Sequence, residues 1–161
     1  MNILIAYYSK TGTTEKVAVA LQQQLALAGH IVKLEKIMPL KELKAAHYRK
    51  MEKEIALKDP LVDVNGFDLV LVGTPVWGYS PSPIISSYLQ LLQNAKGKRF
   101  ALFATCTVLP GTTMQRMAGV LATKGANVVG SFAIKSVFDL DKEKLGEARQ
   151  FAEELQKKLS E

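Results

Sequence analysis

The sequence has few of the residues that build disulfides and metal centres. It contains one cysteine, Cys106, and two histidines, His30 and His47. A single cysteine cannot close an internal disulfide or supply an iron–sulfur cluster, and two isolated histidines fall short of a typical zinc site. These counts exclude a disulfide scaffold and a cysteine-ligated cluster built from this chain alone, and we expect no metal site.

Long apolar runs and a targeting pattern are also missing. Residues 1–4 lead into an apolar run without a basic stretch or a small-residue cleavage pattern. No apolar run approaches the roughly 18–20 residues that a membrane helix needs. We therefore expect a cytoplasmic protein with no membrane partner.

The charge is basic but not concentrated. The net charge is +6, from 21 Lys and Arg residues against 15 Asp and Glu residues. Only four of the basic residues are arginines, and no basic run is interleaved with aromatics, so we expect solvated helix faces and no nucleic-acid partner. The sign of the charge favours a protein partner with an acidic docking face.

Two periodicities alternate along the chain. Short continuous apolar runs are typical of strands buried on both faces of a sheet. Longer stretches repeat apolar residues every three or four positions, as Val17, Leu21 and Leu25 do, which is typical of helices. The predicted strands cover 3–8, 31–34, 67–73, 98–104 and 127–134, and the predicted helices cover 15–28, 39–59, 83–94, 112–124 and 141–159.

This alternation predicts an α/β fold for a single domain over residues 1–161. Right-handed crossovers place helices on both faces of the sheet, which gives a three-layer, doubly wound, five-stranded parallel sheet. The pattern suits the strand order 2-1-3-4-5. In such sheets ligands bind beyond the carboxyl ends of the strands, which nominates the loops after strands 1, 3 and 4.

The loop after the first strand is rich in hydroxyl groups, and we call residues 9–14 the phosphate loop. Five of its six residues are Ser, Thr or Gly, whereas helix capping alone needs one or two. The unpaired N–H groups at a helix start favour an anion, and Gly12 lets the backbone approach it closely. Neither a triphosphate-binding nor a dinucleotide-binding pattern is present, so we predict a bound phosphate monoester. The candidate residues are Ser9, Lys10, Thr11, Gly12, Thr13 and Thr14.

The loop after the third strand carries the only tryptophan, Trp77. Its indole can pack in the core or stack on a planar ligand, and the neighbouring tyrosine and prolines favour stacking. Gly78 gives a peptide that is free to turn over, because glycine tolerates positive φ. The candidate residues are Thr74, Pro75, Val76, Trp77, Gly78 and Tyr79.

The loop after the fourth strand offers hydroxyl and N–H groups for the polar edge of a ring system. The candidate residues are Thr105, Cys106 and Thr107. Cys106 has no His or carboxylate near it in sequence, so we interpret it as a buried core residue and assign no catalytic residue. Together the three loops predict a ligand with a phosphate at one end and a planar ring at the other, which is the shape of flavin mononucleotide (FMN).

At these positions the chain resembles the flavodoxin family. Residues 8–14 are similar to the family's phosphate loop, [ST]-x-T-G-x-T, and residues 74–78 are similar to its second flavin loop. The resemblance covers the whole chain in element order. It implies a short-chain flavodoxin-like fold with non-covalently bound FMN, in which Trp77 stacks on the isoalloxazine and Gly78 presents its carbonyl to N5.

Three features depart from the family's pattern. Val108-Leu109-Pro110 stands where many members carry an aromatic over the second flavin face. That face is then either open or covered by Tyr48 or His47 from the 39–59 helix. Tyr79 stands where many members carry an acidic residue, and the chain is basic where many electron carriers are acidic. Reduced negative charge near the ring favours full reduction of the flavin, which makes two-electron chemistry more accessible.

Three functions follow from these observations. The first is electron transfer through bound FMN to a redox partner. The alternative is an NAD(P)H-dependent oxidoreductase that uses the same FMN to reduce a quinone or a similar small acceptor. A phospho-receiver of the same topology is disfavoured, because it needs acidic residues where this chain has Tyr7-Tyr8 and Val72-Gly73.

Overall fold

A computed structural model describes residues 1–42, 54–137 and 139–161. Its strands are β1 (Asn2–Tyr7), β2 (Ile31–Lys36), β3 (Leu69–Trp77), β4 (Ser80–Pro81), β5 (Arg99–Cys106) and β6 (Asn127–Lys135). Its helices are α1 (Thr13–Leu27), α2 (Pro83–Leu91), α3 (Thr113–Thr123) and α4 (Lys142–Ser160).

The sheet confirms the predicted topology. Five strands pair in parallel in the order β2-β1-β3-β5-β6, so β1 and β3 are neighbours at the point where the order reverses. The sixth strand, β4, has two residues and pairs antiparallel with the end of β3. The carboxyl ends of β1, β3 and β5 therefore meet at one edge, where the three candidate loops begin.

The helices form a layer on each face of this sheet. Alternate residues of β1, such as Ile3 and Ile5, pack with apolar residues of α1 and α4 in one core. Leu4 and Ala6 point the other way and pack with residues of α2 and α3. The central strands read as continuous apolar runs because both of their faces are covered.

Gly73 in β3 makes room for an aromatic ring on the α1 face. A Cβ atom built there would lie 2.1 Å from the Phe103 ring, so the ring occupies the space above the glycine. Tyr7 of β1 is its register partner on one side and Phe103 of β5 on the other.

The helix predicted over 39–59 is wrong at both ends. Pro39 pairs with Leu57 in an isolated antiparallel bridge, the Leu40 N–H donates to the Ala56 carbonyl at 2.8 Å, and the Lys58 N–H donates to the Met38 carbonyl at 2.9 Å. Helical apolar spacing was misleading there, because the chain doubles back through backbone pairing. The middle of this segment, with His47 and Tyr48, lies outside the described residues.

Two strands continue into the segments that were predicted as candidate loops. β3 runs through residues 74–77 and β5 through Thr105 and Cys106, all of which were predicted as loop. Polar residues mark the ends of strands in sequence, but Thr74 and Thr105 are buried with their hydroxyls hydrogen-bonded, so the strands accommodate them.

Candidate functional site

The phosphate loop ends at an open helix start. Gly12 is the N-cap of α1 with φ +95°, and among the described residues no side chain caps that helix. Its own N–H donates to Ser9 Oγ at 3.1 Å, which folds the loop over the buried serine. The Thr11 and Thr13 hydroxyl oxygens lie 3.4 Å apart. Two hydroxyls and a helix start are thus gathered at one place.

Thr14, the last residue of the phosphate loop, points inward. Its Oγ1 is 2.7 Å from Oγ1 of Thr105, and the two residues are only 1% and 6% exposed. The structure therefore joins the phosphate loop to the end of β5 through a buried hydroxyl pair. Lys10 is exposed beside the loop.

A carboxylate is held behind the loop, in the first turn of α1. The Tyr7 hydroxyl donates to Glu15 Oε1 at 2.7 Å, and Lys36 Nζ lies 3.5 Å from the same oxygen. The hydrogen bond from Tyr7, with help from Lys36, lowers the pKa of Glu15, while burial, together with Glu15, raises the pKa of Tyr7. Glu15 is therefore ionised and its charge is already engaged.

The second candidate loop is a tight hairpin. Val76 pairs with Pro81 and Trp77 pairs with Ser80, leaving Gly78 and Tyr79 as the turn. Both turn residues have positive φ, +58° and +61°, as a type I′ turn requires. The half-buried Trp77 ring meets the Tyr8 ring edge-on, with 5.5 Å between centroids and 88° between planes.

Thr74, at the base of the hairpin, has an internal role. It is fully buried. Its hydroxyl donates to Ser82 Oγ at 3.1 Å, and the same hydroxyl oxygen accepts from the Ser82 N–H at 3.0 Å. Ser82 in turn caps α2 by accepting from the Ile85 N–H. Pro75 and Val76 are half-buried on the same strand.

The third candidate loop separates buried from exposed residues. Cys106 Sγ lies 3.8 Å from the Ile134 carbonyl oxygen, and burial raises the pKa of its thiol. A nucleophilic cysteine needs the opposite shift, so its burial and raised pKa favour a packing role for Cys106. Thr107 and the two residues after it are exposed at the sheet edge.

The second and third loops contact each other, which the sequence did not predict. The Tyr79 carbonyl accepts from the Thr112 N–H at 3.0 Å and from its hydroxyl at 3.3 Å. A Cβ on Gly111 would lie 2.4 Å from Tyr79 Cβ, so only glycine fits against the hairpin. The Pro110-Gly111 pair signals a turn, but nothing in the sequence indicates what the turn packs against.

This edge of the sheet combines two chemistries. One is a helix start with hydroxyl and N–H donors, which suits a phosphate; the other is a half-buried indole on the next strand, which suits a planar ring. Among the residues that the structure describes, no group of three His, Cys, Asp or Glu residues is arranged to hold a metal ion. No helix within the described ranges is long and apolar enough to span a bilayer.

Known proteins share this fold. A family model described as Flavodoxin matches residues 2–130. Flavodoxin 2 from Bacillus cereus is similar in structure, with a TM-score of 0.69, 22% identity, and coverage of 98% of this chain and 99% of that one. The Streptococcus pneumoniae TIGR4 flavodoxin is also similar, with a TM-score of 0.65, 20% identity, and coverage of 98% of this chain and 99% of that one. A Lactobacillus acidophilus NCFM flavoprotein in complex with FMN has a TM-score of 0.64 and 23% identity, with coverage of 82% of this chain and 92% of that one. At these identities the structural likeness shows a shared fold.

Proposed function

The chain belongs to the flavodoxin family, and we propose on that premise that it is a redox protein that holds one FMN between the phosphate loop and the Trp77 hairpin. The observation that carries the proposal is the position of the hydroxyl-rich start of α1, which no described side chain caps, beside the strand end that presents Trp77. A phosphate and a ring system in one ligand match these two neighbouring features.

The chain's own residues bind and orient this ligand. Thr11, Thr13 and the first N–H groups of α1 donate to the phosphate, and Gly12 leaves the approach free of a side chain. Trp77 supplies a flat apolar surface for the ring, and the turn peptide at Gly78 supplies its polar edge with a backbone group. Bound FMN supplies the capacity to take up and release one or two electrons.

The charges around the ring favour full reduction. The turn residue after Gly78 is Tyr79, which is 58% exposed and neutral, and the nearby carboxylate of Glu15 is engaged by Tyr7 and Lys36. A site with little free negative charge opposes an anionic reduced ring less than an acidic site does. We therefore propose that the second one-electron potential lies close to the first.

The surface around the site fits a protein partner with an acidic face. The exposed fractions at this edge are 58% for Tyr79, 54% for Val108, 61% for Leu109 and 65% for Val137. Lys135, two residues before Val137, is exposed, and so is Lys10 in the phosphate loop. An apolar centre with a basic rim suits a transient redox partner that carries carboxylates, and such binding weakens as salt is raised.

A cytoplasmic site of action is part of the same proposal. It rests on the single cysteine, Cys106, which has no second cysteine in the chain to pair with. Subcellular fractionation of the native host with an antibody to this chain checks it, and recovery in a secreted or membrane fraction would contradict it.

The binding experiment uses the fluorescence of the only tryptophan. FMN is titrated into apoprotein while emission from Trp77 and from the flavin is recorded; we expect both to be quenched on one saturable curve at micromolar FMN or below. Trp77→Phe should still bind FMN, with flavin emission less strongly quenched. Absence of saturable binding would reject the proposed function.

The electron-transfer role is separated from the NAD(P)H-dependent alternative by two assays. Redox titration of the FMN-loaded protein measures the spacing of the two one-electron potentials. Steady-state mixing with NADPH or NADH and a soluble quinone measures turnover. We expect no rapid turnover without a partner reductase; sustained turnover would assign the chain to the oxidoreductases of small acceptors.

A further inference from the structure

A buried hydrogen bond joins two of the candidate loops at the carboxyl edge of the sheet. Thr14 in the first turn of α1 and Thr105 at the end of β5 lie 2.7 Å apart through their hydroxyl oxygens, although 91 positions separate them in sequence. Both residues are almost fully buried. Each hydroxyl therefore has the other as a hydrogen-bond partner away from solvent.

This bond spans β3, because Thr14 follows β1, Thr105 lies near the end of β5, and β3 lies between those two strands. β1 and β5 flank β3 on either side, and α1 lies over the face to which Phe103 and Thr105 point. Gly73 of β3 has no side chain, and the Phe103 ring fills the space above it. Thr14 and Thr105 meet on this same face, two residues further along β5 than Phe103.

We propose that Thr105 is a positioning residue that fixes the distance between the phosphate loop and the third loop by its bond to Thr14. The proposal rests on the function proposed above, because it concerns how one ligand is held at two places. Thr105 acts through Thr14, and its own hydroxyl does not contact the ring.

The spacing of the two loops should affect the affinity only of ligands that contact both loops. A ligand bound at two points gains affinity when the two sub-sites are held at the correct spacing, because less ordering remains to be done on binding. FMN carries both a phosphate and a ring. Riboflavin carries the ring without the phosphate, and inorganic phosphate lacks the ring, so neither depends on the spacing.

The experiment compares these three ligands on matched variants. Thr105→Val removes the hydroxyl and keeps the shape, Thr105→Ser keeps the hydroxyl, and Thr113→Val removes another fully buried threonine hydroxyl whose bond, to the Pro110 carbonyl, is local. Calorimetric titration gives the Kd of each variant for FMN, riboflavin and inorganic phosphate.

We expect Thr105→Val to weaken FMN binding by about five- to tenfold, the range of one buried hydrogen bond, with riboflavin and phosphate changed less than twofold. Thr105→Ser should recover most of the FMN affinity, and Thr113→Val should leave the ratio of riboflavin Kd to FMN Kd unchanged. Thr14→Val breaks the same bond from the other side. Combined with Thr105→Val it should cost less than the sum of the two single changes.

Two results would overturn the inference while leaving FMN binding intact. Unchanged FMN affinity in Thr105→Val would show that the bond does not set the spacing. An equal loss for riboflavin and FMN would place the Thr105 hydroxyl on the ring itself. Failure of the unmodified protein to bind FMN is a different result, and it would reject the proposed function instead.

Discussion

Helices α1 and α4 pack on the same face of the sheet but begin in different ways. Asp141 caps α4 by accepting from the Lys144 N–H at 2.9 Å, so that helix satisfies its own first turn. Gly12 precedes α1 in a left-handed conformation, and no side chain within the described ranges caps it. One helix start is closed by a carboxylate of the chain, and we propose that the other receives the phosphate of FMN.

The difference separates stability from function. A capping aspartate contributes on the order of 1 kcal/mol to folding, whereas a glycine N-cap makes no side-chain bond. The α1 end is nevertheless well anchored, because Lys16 pairs with Asp139 and Thr14 bonds to Thr105. Changes at α1 should therefore act on the ligand, and changes at α4 should act on folding.

The largest expected effect is at Gly12. Gly12→Asp places a carboxylate at the helix start that would repel a phosphate, so we expect FMN affinity to fall by about a hundredfold or more, as measured by flavin fluorescence titration. Gly29→Asp is the matched control: Gly29 lies just beyond the other end of α1 with φ +91° and, like Gly12, has open space at its Cβ. Loss of FMN binding in both variants would attribute the effect to backbone strain.

The hydroxyl groups of the phosphate loop should have the next largest effect. Thr11→Val removes one hydrogen bond to a charged group, so we expect FMN affinity to fall about tenfold. Thr123→Val, which alters an exposed threonine whose hydroxyl donates to the Val120 carbonyl in α3, should leave the affinity unchanged. If riboflavin lost affinity as strongly as FMN in Thr11→Val, this hydroxyl would not be acting on the phosphate.

The cap of α4 tests the other side of the comparison. Asp141→Ala should lower the free energy of unfolding by about 1 kcal/mol in urea denaturation, because the first turn of α4 loses its acceptor. Asp141→Asn keeps an acceptor oxygen and should retain most of that stability. FMN affinity should be unchanged in both variants, and a clear loss of affinity would show that the two helix starts are coupled.

The smallest effect concerns acid stability. The folded protein holds Glu15 with a lowered pKa, so the unfolded chain binds this proton more readily, and stability falls as pH drops through the carboxyl range. Glu15→Gln should remove this part of the loss between about pH 5 and pH 3, on the order of 0.5 kcal/mol for a partly exposed group. Urea unfolding at both pH values measures it. Tyr7→Phe should reduce the same loss, and an unchanged slope in both variants would contradict the assignment.

The sequence was sufficient for the fold because its signals are local. Apolar runs and helical stripes such as Val17, Leu21 and Leu25 report burial directly, and these three residues are fully or almost fully buried. The predicted strand order followed from the order that such five-stranded patterns favour, and right-handed crossovers placed helices on both faces. The 39–59 helix failed at its described ends because apolar spacing alone does not reveal antiparallel backbone pairing between Pro39 and Leu57.

The residues of the candidate site could be nominated from the sequence, but the contacts among them could not. Hydroxyl-rich residues after the first strand indicated the phosphate loop, and the lone tryptophan indicated the second loop. The bonds from Thr14 to Thr105 and from Thr112 to Tyr79 join residues far apart in sequence, so no local pattern announces them. The role of Trp77 as a stacking surface stays a prediction that the fluorescence titration tests.

Phosphate binding at the start of α1 is tested most directly by the ³¹P resonance of bound FMN as a function of pH. A phosphate held by the N–H groups and hydroxyls at the start of α1 should stay a dianion, so the bound signal should not move between about pH 8 and pH 5.5, where a free phosphate monoester titrates near pH 6. A bound signal that titrates with free FMN would place the phosphate in solvent, away from the start of α1.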